Sequence, residues 1–384
     1  MALICDALLR APAHGRQGGK GGPVSQKRIG ILTSGGDCAG LNAALRAVVH
    51  HAVLGFGWEV IGIEQGTLGL MERPIRARPL TVEEFDGTLL RRGGTMLGST
   101  NRGDPFAFPM PDGSKADRSQ AVIDGYRALK LDALIGIGGD GSQALLRRLA
   151  QQGGLNLVCI PKTIDNDVGV TEISIGYDTA VQAVTYALDC LQPTAASHSR
   201  VMILEVMGRD AGHIAIVGGI AGGADVILIP EIPYRIEHVA RKIETIRTRQ
   251  GRNFALVVVA EAVKTEQGER VTVGEPGGGR YGGAGHYIGD LLAQHIDAEI
   301  RVTVLGHIQR GGIPDARDRV MASAFGVHAV DLIAEGRFDR MVAWRDRSVI
   351  DVPLEDVIAQ PHVVELDGPI VHTARALGIC LGDA

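Results

Sequence analysis

The sequence predicts an α/β protein with two doubly wound, Rossmann-like, three-layer domains and mainly parallel sheets. From Arg28 onward, short runs of apolar and β-branched residues alternate with amphipathic segments. Such runs, when separated by helices, are typical of parallel strands that are buried on both faces. Glycine-rich motifs with charged residues follow several of the runs, and ligands of such sheets bind beyond the carboxyl ends of the strands. The pattern therefore predicts a binding site at those ends.

Hydrophobic periodicity places each element in turn. The predicted strands are residues 28–34, 131–139, 155–161, 200–206, 226–230, 254–262 and 300–306. The predicted helices are residues 41–53, 179–191, 236–247 and 287–296. Residues 1–27 contain a stretch rich in Gly, Arg, Lys and Gln, and they do not resemble a signal peptide. We expect them to be a disordered tail, or the product of an upstream start codon.

Composition limits the class of protein. The 384 residues are 45% hydrophobic and 22% charged, with a net charge of -5, which describes a globular chain and excludes a disordered one. The slight acidity argues against nucleic acid as the main partner. The 53 glycines are roughly twice the average usage. They indicate either close approach of the backbone to a ligand or a loop-rich sequence, and composition alone leaves both readings open.

Cysteine usage and hydropathy indicate a cytoplasmic protein. The cysteines are Cys5, Cys38, Cys159, Cys190 and Cys380, an odd number without a CxxC pair. This pattern predicts reduced thiols, with no disulfide framework and no zinc site. No apolar run reaches the length of a membrane span.

Two glycine-rich motifs lie between a strand and a helix. The first runs from Ser34 to Gly40 (SGGDCAG) and the second from Gly138 to Ser142 (GGDGS). A glycine-rich turn at a helix start offers free N–H groups and a positive dipole end to a phosphate. The Asp140 carboxylate is placed to reach a metal ion held by phosphates. The alternative is that Asp140 and Ser142 only cap the helix.

A third motif carries two carboxylates. Residues Pro161–Asp167 read PKTIDND. Asp165 and Asp167, beside a Thr and a Lys, suit phosphoryl transfer to a hydroxyl group, because one carboxylate can accept the proton and the other can help to hold Mg²⁺. An Asx-turn after a strand is the structural alternative.

Two further motifs follow later strands. In residues 205–212 (EVMGRDAG), Arg209 can stabilise charge on a transferring phosphoryl group. In residues 305–312 (LGHIQRGG), His307 and Arg310 can form a pocket for a phosphate monoester. A lone arginine would be read as a solvated surface cation, and a lone histidine as structural.

Taken together and in this order, GGDCAGLNA, GGTMLGS, GGDGS, PKTIDND, EVMGRDAG and LGHIQRGG resemble the bacterial-type phosphofructokinases over about residues 28–345. The resemblance implies a glycolytic enzyme that transfers the γ-phosphoryl group of ATP to the 1-hydroxyl of fructose 6-phosphate, with Mg²⁺. It implies a larger, nucleotide-binding domain of residues 28–176 plus about 309–362. The smaller, sugar-phosphate domain would comprise residues 177–308 plus about 363–384. It also implies a homo-oligomer, expected to be a tetramer, with shared active sites.

The resemblance also implies roles for single residues. Asp165 would be the base, with Thr163, Asp167 and Arg209 as the other catalytic residues. The residues expected to bind the nucleotide are Gly36, Arg102, Gly139, Asp140, Gly141 and Ser142, and Asp140 would also hold the metal. Those expected to bind the sugar phosphate and the transferring phosphoryl group are Lys162, Thr163, Asp165, Arg200, Met207, Gly208, Arg209, Glu261, Arg301, His307 and Arg310. Of these, Arg200 and Arg301 would reach the site of a neighbouring subunit.

The choice of phosphoryl donor is where the sequence departs from the common pattern. Gly141 resembles the ATP-dependent members, whereas pyrophosphate-dependent members carry Asp there. Lys162 resembles the pyrophosphate-dependent members. We expect ATP, because Gly141 decides whether the α-phosphate fits, and pyrophosphate is the alternative. A nicotinamide-dinucleotide or lipid kinase would share only GGDG, and an inactive subunit would lack the intact motifs.

Two regions leave questions open. In the allosteric pocket of the family, which is built from arginines, Arg46 matches one of these arginines and Arg252 matches a lysine, but His50 and Gln192 stand where two further cations are expected. Anion binding there should be weaker. The family's nucleotide-contacting arginine aligns with position 101, beside Arg102, so the sequence does not decide which residue contacts the nucleotide.

Overall fold

The computed structural model describes residues 26–100, 103–249, 251–273, 280–360 and 362–383. The strands are Arg28–Thr33 (β1), Glu59–Ile63 (β2), Ala77–Leu80 (β3), Phe108–Pro109 (β4), Lys115–Ala116 (β5), Ala133–Gly138 (β6), Leu157–Pro161 (β7), Val201–Val206 (β8), Val226–Leu228 (β9), Ala255–Ala260 (β10), Thr272–Val273 (β11), Arg280–Tyr281 (β12), Ile300–Val304 (β13), Arg340–Arg345 (β14) and Ser348–Pro353 (β15). The strands predicted from the sequence are confirmed, with ends shifted by up to two residues.

The α-helices are Leu41–His50 (α1), Thr67–Met71 (α2), Ser119–Ala128 (α3), Asp140–Gly153 (α4), Tyr177–His198 (α5), His213–Ala221 (α6), Ile236–Arg249 (α7), Ala284–Leu292 (α8), Ala316–Ala334 (α9), Leu354–Ala359 (α10) and Pro369–Ala376 (α11). A π-helical turn, His51–Gly55, continues α1. The four predicted helices are confirmed, and α5 extends seven residues beyond its predicted end at 191. No helix in the described part of the chain is long and apolar enough to span a membrane.

Within the described residues, the strands form two main sheets. The first is seven-stranded, in the order β15-β14-β7-β6-β1-β2-β3, with parallel strands from β14 to β2. Its edge strands β3 and β15 are antiparallel to their neighbours. The second sheet is four-stranded and parallel, in the order β13-β8-β10-β9. Two-domain α/β architecture with mainly parallel sheets is thus confirmed.

The core explains why these segments form strands. Every residue of β6, β7, β8 and β10 is buried, as expected for parallel strands that are covered on both faces by helices. Helix α5 leads the chain from the first sheet to the second, and α9 returns it to pack against α1.

A buried carboxylate joins these two connecting helices. Asp318 of α9 is fully buried and accepts hydrogen bonds from the backbone N–H groups of Gly176 (2.7 Å) and Thr179 (2.9 Å) at the start of α5. The N–H groups at the start of a helix lack partners within the helix, and the Asp318 carboxylate accepts hydrogen bonds from two of them. The contact fixes the segments that lead into α5 and α9, and both follow loops of the site.

Candidate active site

An open cleft of about 940 Å³ lies where the carboxyl ends of the two sheets meet. Its walls come from the loops after β1, β6 and β7 on one side and after β8, β10 and β13 on the other. Of the residues predicted to form the site, those that line the cleft are Gly36, Gly139, Asp140, Gly141, Ser142, Lys162, Thr163, Asp165, Met207, Arg209, Glu261, His307 and Arg310. Loops that are far apart in sequence therefore come together at the carboxyl ends of the strands, where ligands of such sheets bind.

Residues 162–167, the base loop, follow β7 and carry a buried carboxylate. Asp165 is 5% exposed, and its Oδ2 lies 3.3 Å from the donating Thr163 hydroxyl. Its Oδ1 is buried without a hydrogen-bond partner in the described residues. Burial raises the pKa of Asp165, opposed by the positive charges of Arg310 and Arg209. A carboxylate oxygen without a partner, on a residue that lines a cleft, is free to accept a proton from a ligand.

Two other carboxylates share one guanidinium group. Arg209 Nη1 lies 3.4 Å from Asp140 Oδ1 and 3.9 Å from Asp167 Oδ2. Burial, then the negative charges of Asp165 and Asp140, raise the pKa of Asp167 to about 6. Asp167 does not line the cleft itself, and its Oδ1 is buried and without a partner among the described residues. A cation between these carboxylates would relieve their mutual repulsion.

Residues 207–212, the arginine loop, follow β8 in an unusual conformation. Gly208 has φ 155°, and a Cβ there would lie 2.6 Å from the carbonyl oxygen of Ala211, so the position requires glycine. Arg209 has φ 54°. The backbone N–H groups of Gly208 (3.3 Å) and Arg209 (3.0 Å) both donate to Glu261 Oε1. Glu261 thus holds the loop that presents the arginine, and burial raises the pKa of Glu261.

The opposite wall carries a buried lysine. Lys162 is 4% exposed, and its ammonium group donates to the carbonyl oxygen of Gly36. Burial, its largest cause, lowers the pKa of Lys162. Arg310 Nη1 donates to the carbonyl of Asp37 (3.2 Å), and a Cβ at Gly36 would lie 2.8 Å from the same nitrogen. The glycine-rich turn after β1 thus leaves space for two cations.

Helix α4 points its first turn at the cleft. Gly139 is its N-cap, and Asp140, Gly141 and Ser142 form the first turn. Gly139 has no side chain that could cap the helix, so the helix start can offer N–H groups to an anion. A Cβ at Gly141 would meet nothing within 4 Å. The position is therefore open space beside the helix start.

The loop after β13 is anchored to the arginine loop. Gln309, 1% exposed, accepts the backbone N–H of Met207 at 2.8 Å. His307 and Arg310, on either side in the sequence, line the cleft. Gln309 lies within the quoted motif LGHIQRGG, but its function as an anchor depends on a contact between distant loops, which no spacing in the sequence reveals.

Further residues of the cleft were not predicted from the sequence. They are Ser34, Gly35, Asp37, Thr67, Thr100, Gly103, Asp104, Leu145, Glu205, Tyr281, Gly282, Val304 and Gly306. Several lie in the quoted motifs, and that position was their only signal. Glu205, the last but one residue of β8, accepts the N–H groups of Gly283 (3.1 Å) and Gly285 (2.8 Å) and so fixes the start of α8.

Asp167 and Gly208 belong to loops of the cleft but do not line it, and three further predicted residues lie elsewhere or outside the described residues. Arg200 Nη2 donates to Glu299 Oε1 at 3.1 Å, and Arg301 forms an ion pair with the same carboxylate. Both arginines lie at the start of their strands, the opposite end of the sheet from the cleft. Arg102 and its neighbour at position 101 lie outside the described residues.

This arrangement suits transfer of a phosphoryl group to an alcohol. The cleft offers one carboxylate with a free oxygen, further carboxylates near an arginine, and a helix start with glycine-lined backbone. Phosphoryl transfer requires such positioning and charge neutralisation more than covalent help from the protein.

The sequence profile of the family described as Phosphofructokinase matches residues 28–333. The chain belongs to this family. A relative from Synechocystis sp., named ATP-dependent 6-phosphofructokinase 1, is 65% identical over 358 residues, which is 93% of this chain and 99% of the relative.

Solved structures agree on the fold. The crystal structure of Pichia pastoris phosphofructokinase superposes with a TM-score of 0.76 at 29% identity over 87% of this chain. This chain spans 35% of that longer chain. The pyrophosphate-dependent phosphofructokinase from Marinobacter aquaeolei superposes with a TM-score of 0.74 at 23% identity, covering 92% of this chain and 88% of that one. At that identity the likeness concerns the fold alone.

Proposed function

We propose that this protein is a 6-phosphofructokinase that transfers the γ-phosphoryl group of ATP to the 1-hydroxyl of fructose 6-phosphate, in glycolysis. The observation that carries the proposal is the buried Asp165, whose Oδ1 has no hydrogen-bond partner in the described residues and which lines a cleft together with the first turn of α4 and Arg209. The name of the 65% identical relative, which covers nearly the whole chain, supports ATP as the donor.

In the proposed reaction, Asp165 accepts the proton of the sugar 1-hydroxyl as its oxygen attacks the γ-phosphorus. The bond from the γ-phosphorus to the bridging oxygen breaks, and ADP leaves with that electron pair. Burial raises the pKa of Asp165, which makes its carboxylate a better proton acceptor. Thr163 and Arg209 would hold the transferring group, whose equatorial oxygens carry the charge that a guanidinium group neutralises.

The residues present fit Mg²⁺. Among the described residues, no cluster of three or more His, Cys, Asp or Glu side chains could hold a metal alone. That agrees with Mg²⁺, which usually takes one or two protein carboxylates together with substrate phosphates and water. Asp140 and Asp167 would supply these carboxylates. Burial, and after it the negative charges of Asp165 and Asp140, raise the pKa of Asp167 to about 6. Bound with the nucleotide, the ion would neutralise charge on the phosphates.

For the nucleotide, we propose the wall formed by Gly36, Gly139, Asp140, Gly141 and Ser142. The open space at Gly141 supports this, because an α-phosphate could approach the helix start there. Pyrophosphate is a second candidate donor, and Lys162 favours it, since a cation at the cleft wall can hold a terminal phosphate without a nucleoside. The bond from Lys162 to the Gly36 carbonyl gives this lysine a local structural role that is compatible with either donor.

For the sugar phosphate, we propose Met207, Gly208, Glu261, His307 and Arg310, around the loops after β8, β10 and β13. Arg200 and Arg301 would complete the site of a second copy in a homo-oligomer, expected to be a tetramer. Their distance from the cleft of their own chain supports this.

Exposed apolar residues in the loop after β13 and on helices α5 and α9 support the same association. Ile308 is 69% exposed, Val320 on α9 is 65% exposed and Tyr186 on α5 is 70% exposed. Apolar side chains exposed on elements that pack together are typical of an interface. We propose that a second copy of the chain covers them.

The domain boundaries and the location are proposals as well. We propose the nucleotide-binding domain at residues 28–176 plus about 309–362 and the sugar-phosphate domain at 177–308 plus about 363–384, because the two main sheets fall within these ranges. We propose a cytoplasmic location, where thiols stay reduced; Cys38, Cys159, Cys190 and Cys380 are free in the structure.

Steady-state kinetics test the function. We expect turnover with fructose 6-phosphate and ATP that stops with EDTA, and a kcat/KM for pyrophosphate that is lower by orders of magnitude. A preference for pyrophosphate would show that pyrophosphate, and not ATP, is the donor. Turnover of a dinucleotide or a lipid in place of fructose 6-phosphate would contradict the proposed acceptor. A folded protein without activity would identify a regulatory subunit.

A further inference from the structure

The segment 362–364 lies between the base loop and the residues around the end of the arginine loop. It follows α10, which packs against the first sheet, and precedes α11, which packs against α6 near the second sheet. The segment belongs to no motif in the sequence. Its contacts nevertheless lie with the base loop, with His213 directly after the arginine loop, and with Glu231, which binds the end of that loop.

His362 holds the base loop through two hydrogen bonds to backbone carbonyls. Its Nδ1 lies 2.8 Å from the carbonyl oxygen of Asn166, so this nitrogen carries the proton and donates it. Its backbone N–H donates to the carbonyl of Asp167 at 3.0 Å. Asn166 has φ 53°, a left-handed conformation that costs a non-glycine residue energy and persists only when its surroundings hold it. The two bonds fix the chain directly after Asp165.

The same segment is bound to the arginine loop. The ring of His213 contacts the ring of His362 at a centroid distance of 4.5 Å with the planes tilted by 31°, and its Nε2 donates to the His362 carbonyl at 3.4 Å. Glu231 Oε1 accepts both the N–H of Val364 (3.1 Å) and the N–H of Gly212 (2.9 Å). The segment is thus joined to the end of the arginine loop through the shared Glu231 carboxylate, and to the next residue, His213, through the ring contact.

These contacts connect loops of different sheets. The base loop follows β7 of the seven-stranded sheet, and the arginine loop follows β8 of the four-stranded sheet. A base and a transition-state cation that act on one phosphoryl group must keep their relative position within a fraction of an ångström. We propose that His362 is a positioning residue for the reaction: it sets the base loop, and with it Asp165, relative to Arg209. The inference rests on the proposed function.

The hydrogen bond from His362 to the Asn166 carbonyl requires a donor at one particular ring nitrogen. Burial, then the neighbouring His362, lower the pKa of His213 to about 4, so the ring of His213 is neutral at neutral pH and contacts the ring of His362 without charge repulsion. The Asn166 carbonyl needs a donor where His362 has Nδ1. An asparagine places its side-chain amide nitrogen near the position of Nδ1, whereas a glutamine places it near the position of Nε2.

This difference gives a matched pair of variants. We compare His362→Asn, which retains a donor near Nδ1, with His362→Gln, which is polar but misplaces it. His372→Gln on α11, an exposed position, is the control for loss of a histidine elsewhere. Each variant is examined for thermal unfolding, for kcat and KM with fructose 6-phosphate and ATP, and for amide hydrogen exchange of residues 163–168 and 207–212.

We expect His362→Gln to lower kcat about 10- to 100-fold, as a misplacement near 1 Å does, with both KM values changed less than about threefold. We expect His362→Asn to retain kcat within about threefold and His372→Gln to match the wild type. Equal kcat for the Asn and Gln variants, or a loss of thermal stability with unchanged kcat, overturns the proposal.

Hydrogen exchange separates this inference from the proposed function, because it needs no substrate. We expect faster exchange at residues 163–168 in His362→Gln than in His362→Asn, even if the wild type does not phosphorylate fructose 6-phosphate. Unchanged exchange in His362→Gln overturns the positioning role independently of the enzyme's activity.

Discussion

Replacing Gly141 by aspartate tests the basis of donor choice most sharply. The position lies in the first turn of α4 and is exposed, and a Cβ there meets nothing within 4 Å. The fold therefore has room for the side chain. A carboxylate near a helix start is also favourable for the helix. We expect Gly141→Asp to fold with unchanged or slightly raised thermal stability, so that its effect on activity reports on the ligand.

The magnitude follows from the charge that the variant adds. Two unit charges about 4 Å apart repel by roughly 4 kcal/mol at an effective dielectric of about 20, and by about 1 kcal/mol in bulk water. Because the position is exposed, the true value falls between these limits. The expected loss of ATP binding is therefore about fivefold to a thousandfold.

The assay compares kcat/KM for ATP and pyrophosphate in the wild type, Gly141→Asp and Gly141→Asn. Asparagine has nearly the same shape without the charge, so it separates repulsion from steric exclusion. We expect kcat/KM for ATP to fall about fivefold to a thousandfold in the Asp variant and to be largely retained in the Asn variant. Equal losses of kcat/KM for ATP in both variants would refute the electrostatic argument. A wild type that prefers pyrophosphate would show that Lys162, and not Gly141, indicates the donor.

Two further predictions concern association and stability. Mixing Asp165→Ser protein with Arg301→Ala protein should restore some activity, because a hybrid can assemble one intact shared site; hybrids that form without regaining activity would contradict this. The pKa of Asp167 is raised to about 6 from 3.8, so the unfolded chain binds fewer protons between these values and the free energy of unfolding falls as pH rises through that window. Asp167→Asn should therefore have a higher Tm than the wild type at about pH 7.5 and an equal one near pH 4. A lower Tm at pH 7.5 would show that Asp167 stabilises the fold.

The sequence predicts secondary structure best where the local hydrophobic pattern and the tertiary environment agree. Strands such as β6 and β10 are continuous apolar runs because both faces are covered, and the pattern shows this directly. Helix α6 was not predicted, since its sequence HIAIVGGIA is apolar all round and lacks an amphipathic period. The edge strands β3 and β15 were missed because half-exposed positions give neither a continuous apolar run nor a clean alternation.

For the site, the sequence indicates the residues that line the cleft, and the structure reveals the residues that hold them in position. Asp140, Asp165 and Arg209 lie in motifs at strand ends, where the topology brings them together. Glu231 and His362 act through contacts between segments more than 130 residues apart. No local spacing encodes such pairs, because only the packing of two sheets brings them within hydrogen-bond distance.

The most direct test of the account is the turnover of Asp165→Ser with fructose 6-phosphate and ATP. Serine removes the carboxylate from a buried position, so the alcohol loses its proton acceptor while the sugar-phosphate contacts of His307 and Arg310 stay in place. We predict that kcat falls by at least about 10²-fold, with a KM for fructose 6-phosphate that changes less than about threefold. Near-normal kcat in a correctly folded Asp165→Ser protein would remove Asp165 from the mechanism and contradict the account.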